Sequence, residues 1–95
     1  MRIAARLDDN HKEIVSHFKK FDCSIFDVHA IPNSCDIFVS KNMKTFAIEI
    51  KDGKKPPSQR ALTEGEKKFR DGWKGAYCVV EDLSDVIAVV KALEK

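Results

Sequence analysis

The sequence predicts a single α/β domain, with a mixed sheet flanked by helices. Three observations carry that prediction. Two apolar, β-branched stretches, Cys35–Ser40 and Thr45–Lys51, flank the polar linker Lys41-Asn42-Met43-Lys44, as hairpin arms do. Amphipathic helical patterns open and close the chain, at Ile14–Phe21 and Val86–Leu93. A third helix pattern separates the hairpin from a short last strand, Ala76–Val80, so that strand is reached by a crossover and is expected to run parallel.

In chain order, Asp9 or Asn10 caps a first helix through about Lys20, and Asn10 with Glu13 resembles a capping box. Ile14, Val15, Phe18 and Phe21 recur on one face that should pack on the sheet. His17, four residues after Glu13, reads as a partly exposed helix residue. Cys23–Val28 is a first strand anchored by Ile25 and Phe26; Asp27 and His29 share one face and are expected to meet water at a sheet edge. The hairpin follows the turn Ile31-Pro32-Asn33-Ser34. After it, Asp52–Arg60 is a loop that Gly53 and Pro56-Pro57 keep out of regular structure. Thr63 and Glu66 form a capping box for a second helix through about Asp71, which Phe69 and Trp73 pin to the core. Ser84 is the expected cap of the last helix, where Val86, Ile87, Val89, Val90 and Leu93 form a wide buried face.

Ninety-five residues support one modest core and no second domain. A net charge of +2 gives no global basic field, so any grip on nucleic acid must come from a local patch. The three cysteines, Cys23, Cys35 and Cys78, are odd in number and form no CxxC pair, which points to reduced thiols in the cytoplasm. No ligand spacing among them and His11, His17 and His29 supports a zinc site. No apolar run is long enough for a membrane span, and Leu7 runs at once into Asp8-Asp9-Asn10, unlike a signal segment.

The hairpin concentrates the chemistry. In the third strand Phe46, Ile48 and Ile50 share one face, and Ala47, Glu49 and Lys51 share the other. A tight turn at Asn42-Met43 pairs Val39 with Phe46 and Ile37 with Ile48, and sets Asp36 opposite Glu49. Like charges so placed, with Cβ atoms about 5 Å apart, repel. A divalent cation between them would offset the repulsion. Lys51 lies about 7 Å from Glu49 along the same face. The plain alternative is a solvated sheet face on which Lys51 offsets the acids. Lys54, Lys55 and Arg60 put cations on the loop leaving this site, and Lys67, Lys68 and Arg70 extend the basic surface; a phosphate backbone would pass there.

Asp36, with Glu49-Ile50-Lys51 ending an apolar strand, resembles the signature of the PD-(D/E)XK nucleases. More narrowly, the chain from about Asp9 to Leu93 is similar to small stand-alone VRR-NUC (virus-type replication-repair) nucleases, relatives of Holliday junction resolvases. Asp36-Ile37-Phe38-Val39, Ala47-Ile48-Glu49-Ile50-Lys51 and Leu62-Thr63 with Glu66 carry the resemblance. Cys35 stands where the family usually has Pro, Ala30–Ser34 replaces a loop often rich in Gly, and Glu66 replaces a Gln. None of these removes a metal ligand or the lysine.

The resemblance implies a restriction-endonuclease-like αβββαβα core. It also implies metal-dependent hydrolysis of phosphodiesters in DNA, branched (Holliday junction-like) or duplex, by a homodimer with no membrane association. Asp36, Glu49 and the Ile50 carbonyl are then expected to hold Mg²⁺ or Mn²⁺, and Lys51 to act on water or phosphate. Glu13, otherwise only a cap residue, is a further acid that would approach the metal. Glu66 is a secondary site candidate, and Lys54, Lys55, Arg60 and Lys67 are the expected DNA contacts. The alternative is a non-catalytic DNA- or protein-binding module on the same fold.

Overall fold

The computed structural model describes residues 7–95. The stretch before Leu7, read above as lacking a signal segment, lies outside them. The elements are α1 (His11–Lys20), β1 (Ser24–Asp27), β2 (Ile37–Lys41), β3 (Lys44–Ile50), α2 (Glu64–Gly72), β4 (Ala76–Val80) and α3 (Leu83–Leu93), with a 3₁₀ turn at Pro57–Gln59. This αβββαβα order makes a four-stranded sheet in the order β1-β2-β3-β4. β1, β2 and β3 pair antiparallel and β4 joins β3 in parallel, as the crossover through α2 requires.

The hairpin has the expected register: Ile37 pairs with Ile48, Val39 with Phe46 and Lys41 with Lys44. Its two-residue turn puts Asn42 at φ 56° and Met43 at φ 65°. Both values belong to the type I′ turn, whose twist matches that of the flanking strands. Asn tolerates this conformation; Met43 takes it with a fully exposed side chain.

The two faces of the sheet are covered unequally. Ile37, Val39, Ile48, Ile50 and Val80 face α1 and α3 and pack with Ile14, Phe18, Val86, Val89, Val90 and Leu93. Each large side chain fully buried there contributes about 1.5–3 kcal/mol, and this face supplies most of the core. On the other face the buried apolar residues are Val28, Cys35 and Ala47, beside Phe38, Phe69 and Tyr77. α2 lies on that side and buries none of its residues completely. Phe69 stacks on Trp73 at 5.4 Å, and Phe38 meets Trp73 at the same distance. Thin cover here leaves Glu49 and Lys51 on the side where the sheet end is open to a hollow.

Several local expectations change. Asn10 precedes α1, but its side chain makes no cap; the amide donates instead to the carbonyls of Lys51 (3.0 Å) and Glu81 (3.1 Å). The long-range clamp wins over the local box, so Glu13 is not a capping partner. Asp82, not Ser84, caps α3 by accepting the Asp85 N–H. Phe26 does not anchor β1: it is 68% exposed, because it pairs with Phe38 on the thinly covered face, whereas Ile25 packs against the main core. No helix among the described residues is long and apolar enough to cross a membrane.

Candidate active site

Asp36 immediately precedes β2. Its N–H donates to the Ile48 carbonyl (3.0 Å) and its own carbonyl accepts the Val28 N–H (2.9 Å). The backbone is thus held on both sides, and the Ile50 N–H donates to Asp36 Oδ2 at 2.7 Å. That bond, charge-assisted and short, fixes the carboxylate over the end of β3.

Glu49 lies beside it, 1% exposed. Its carboxyl is within hydrogen-bonding reach of both Asp36 and Glu66, yet Oε2 has no partner among the described residues. Burial first, then the neighbouring carboxyls of Asp36 and Glu66, push its pKa far above the usual carboxylate range.

Two residues on, Lys51 is also buried and donates to Glu66 Oε1 at 2.8 Å. Burial pulls the ammonium's pKa down, but the Glu66 carboxylate more than offsets it, so the net direction is up. Glu66 is placed by its capping box, which forms as expected: Thr63 accepts the Glu66 N–H, and the Thr63 N–H donates to the same Oε1 at 2.8 Å. Burial raises the Glu66 pKa; bonds from Lys51 and Thr63 outweigh it and hold the carboxyl below its ordinary value.

These groups open on a hollow of about 240 Å³. Asp36, Glu49 and Glu66 form its acidic wall, and His29, Asn33 and Gly65 close the rim. Asn33 has φ 58°, and a Cβ at Gly65 would stand 2.7 Å from its Oδ1. The missing side chain lets the loop approach α2 that closely. Ser34 turns its hydroxyl onto the carbonyls of Val28 and Ile31.

Glu13 does not join the acids. It is exposed, pairs with His17 at 3.5 Å, and lines a separate depression with Asp52, Lys54 and Lys55. Asp8, just before α1, lines another small hollow with Lys55 and Gln59; burial raises its pKa, and it feels the charges of Lys51, Asp36 and Glu66. Asp52, also buried, accepts the Lys54 N–H. From β4 the Tyr77 hydroxyl is buried without a partner among the described residues; burial, then Glu49 and Glu66, raise its pKa.

The expected basic surface is largely engaged within the chain. Arg60 donates to the Lys55 carbonyl (2.8 Å) and pairs with Glu81 (3.2 Å), so it fastens the loop to the connection before α3. Lys55 pairs with Asp9 at 2.9 Å and Lys67 with Glu64 at 3.7 Å. Lys54 is exposed and makes no ion pair among the described residues. Exposed pairs such as Lys67–Glu64 are worth about 0–1 kcal/mol and yield readily to a phosphate; Arg60–Glu81 is less exposed and holds the fold.

Comparison with family models, curated proteins and solved structures found no match. The chemistry follows from the charges. Glu66 pairs with Lys51, and Glu49, Asp36 and Asp8 feel one another's charge or that of this pair, so full ionisation of the four leaves an excess of negative charge over the one ammonium. At 4 Å and an effective dielectric near 20, two like charges repel by roughly 4 kcal/mol. Either Glu49 keeps its proton or a cation enters. Hard carboxylate oxygens are the donors a divalent ion takes, and a buried oxygen of Glu49 has no partner among the described residues.

Proposed function

We propose that the chain is a Mg²⁺- or Mn²⁺-dependent DNA endonuclease that hydrolyses phosphodiesters, selective for branched, Holliday junction-like DNA and acting as a homodimer. The observation that carries the reading is the unpartnered, buried Glu49 oxygen between Asp36 and Glu66, with Lys51 alongside. The order of elements and the spacing Asp36…Glu49-Ile50-Lys51 agree with the resemblance to VRR-NUC nucleases.

Asp36, Glu49 and the Ile50 carbonyl would hold the ion, and Asp8, which feels the charges of Asp36 and Glu66, is a further acid near it, whereas Glu13 lines a separate depression. When bound, the ion polarises the scissile phosphate and lowers the pKa of a coordinated water. Asp36 keeps its orientation through the Ile50 N–H. Glu49 would have to give up its proton to serve as a ligand. Lys51, whose pKa is raised, stays protonated; it therefore serves as a cationic donor to phosphoryl oxygens and orients the attacking water, rather than acting as a base. Glu66 holds that ammonium until phosphate takes it over. Lys54 supplies the exposed cation for the DNA backbone, and Lys55 and Lys67 join by exchanging partners. One chain carries one such site, so paired cuts at a junction take two copies. The three cysteines are all unpaired, which suits the reducing cytoplasm.

The test is cleavage of duplex, flap and four-way junction DNA with Mg²⁺ or Mn²⁺ under single-turnover conditions, with Asp36→Ala alongside. Metal-dependent cutting that Asp36→Ala abolishes supports the reading. Metal-independent binding without cleavage would point to the non-catalytic module, and wild-type rates in Asp36→Ala would remove the mechanism.

A further inference from the structure

We propose that His11, Asp27 and His29 form a second cation site, separate from the acid group and suited to a transition metal of the Zn²⁺ class. The fold brings them together from the first residue of α1, the last of β1 and the loop after it. One ligand atom from each lies within 4.8 Å of the others. Zinc–ligand bonds of about 2.0–2.2 Å space their ligands some 3–4 Å apart, so the ion needs only a small contraction.

The site is organised around Asp27. One carboxylate oxygen meets His11 Nε2 at 3.0 Å; the other meets His29 Nδ1 at 2.5 Å and accepts the His29 N–H at 3.0 Å. The His11 side chain is 8% exposed, so its ring is held by packing, and the two imidazoles meet edge-on at 5.4 Å. Two imidazole nitrogens and one carboxylate favour zinc, cobalt or nickel over magnesium, which prefers oxygen alone. Three protein ligands leave a fourth position open, as in sites that bind water or a substrate oxygen. His29 also lines the hollow beside Asp36 and Glu49, so the second ion would sit on its rim.

The competing account is a hydrogen-bonded clamp in which Asp27 fastens two histidines and no metal enters. His17 lies outside the group, paired with Glu13, and provides an internal control. The experiment uses the full chain labelled with ¹⁵N-histidine, stripped with a chelator and titrated with one equivalent of Zn²⁺. The ring resonances of His11 and His29 should move to the positions of coordinated nitrogens while those of His17 stay. Glu49→Gln should respond in the same way, which separates this site from the acid group. Asp27→Asn should weaken uptake at least about tenfold. Stationary His11 and His29 resonances, movement of all three histidines together, loss of the response in Glu49→Gln, or undiminished uptake by Asp27→Asn would each overturn the proposal.

Discussion

Lys51, at the end of β3, reaches Glu66 in the first turn of α2 across 2.8 Å, and the same Glu66 oxygen receives the Thr63 N–H. One carboxylate therefore caps a helix, neutralises a buried ammonium and completes the acid wall around Glu49. Removing it should be felt at all three places.

Glu66→Ala is expected to lower stability by about 1–3 kcal/mol, since it deletes half of a capping box and leaves Lys51 buried without its partner. Glu66→Gln keeps an acceptor for Thr63 and should cost less. Urea unfolding of both variants checks the order; equal stability of Glu66→Ala and the parent would refute it.

Glu49 predicts an unusual pH dependence. Its pKa rises from an ordinary 4.5 to about 10 through burial and the adjacent carboxyls. The folded state thus binds a proton that the unfolded state has released. The contribution is fully present below about pH 4.5 and is lost as pH rises towards 10, at up to ~1.4 kcal/mol per pH unit. Glu49→Gln cannot ionise, so without divalent cations its stability should be flatter over this range and exceed the parent's above neutrality. Unfolding measured across pH in chelator decides it, and parallel slopes in the two proteins would rule it out.

Asn10 joins the start of α1 to the end of β3 and to Glu81 through two carbonyls. Asn10→Ala leaves both acceptors short of a donor in a partly buried place and should cost about 1–3 kcal/mol. Thermal unfolding within error of the parent would show the clamp to be dispensable.

Met43 occupies a left-handed conformation while its side chain touches little. A left-handed L-residue costs roughly 1–2 kcal/mol, and glycine escapes that at some cost in chain entropy. Met43→Gly should therefore stabilise the protein by up to about 1 kcal/mol. A loss of stability would mean that the turn is held otherwise.

Much of the fold was legible because its rules are local. The alternation Phe46-Ala47-Ile48-Glu49-Ile50 sorted the two faces, the two-residue turn set the register, and Thr63 with Glu66 announced α2. The misses are long-range. Nothing in the helix pattern says that Asp8, before α1, feels the charges of Asp36 and Glu66, while Glu13, a cap candidate and only secondarily a site acid, does neither job. Asn10 looks like a cap until a carbonyl forty-one residues away claims its amide. The Arg60–Glu81 pair is likewise hidden, because its partners are distant in sequence. His11 is separated from Asp27 and His29 by a whole helix, which hides their meeting from any spacing rule.

The central claim is that Glu49 is held protonated for a divalent ion to replace its proton. The ¹³C resonance of its side-chain carboxyl, followed at neutral pH as Mg²⁺ is added, tests this most directly. The account predicts the position of a neutral acid without the ion and that of a carboxylate once Mg²⁺ saturates. A resonance that already reports a carboxylate, or that ignores Mg²⁺, would contradict it.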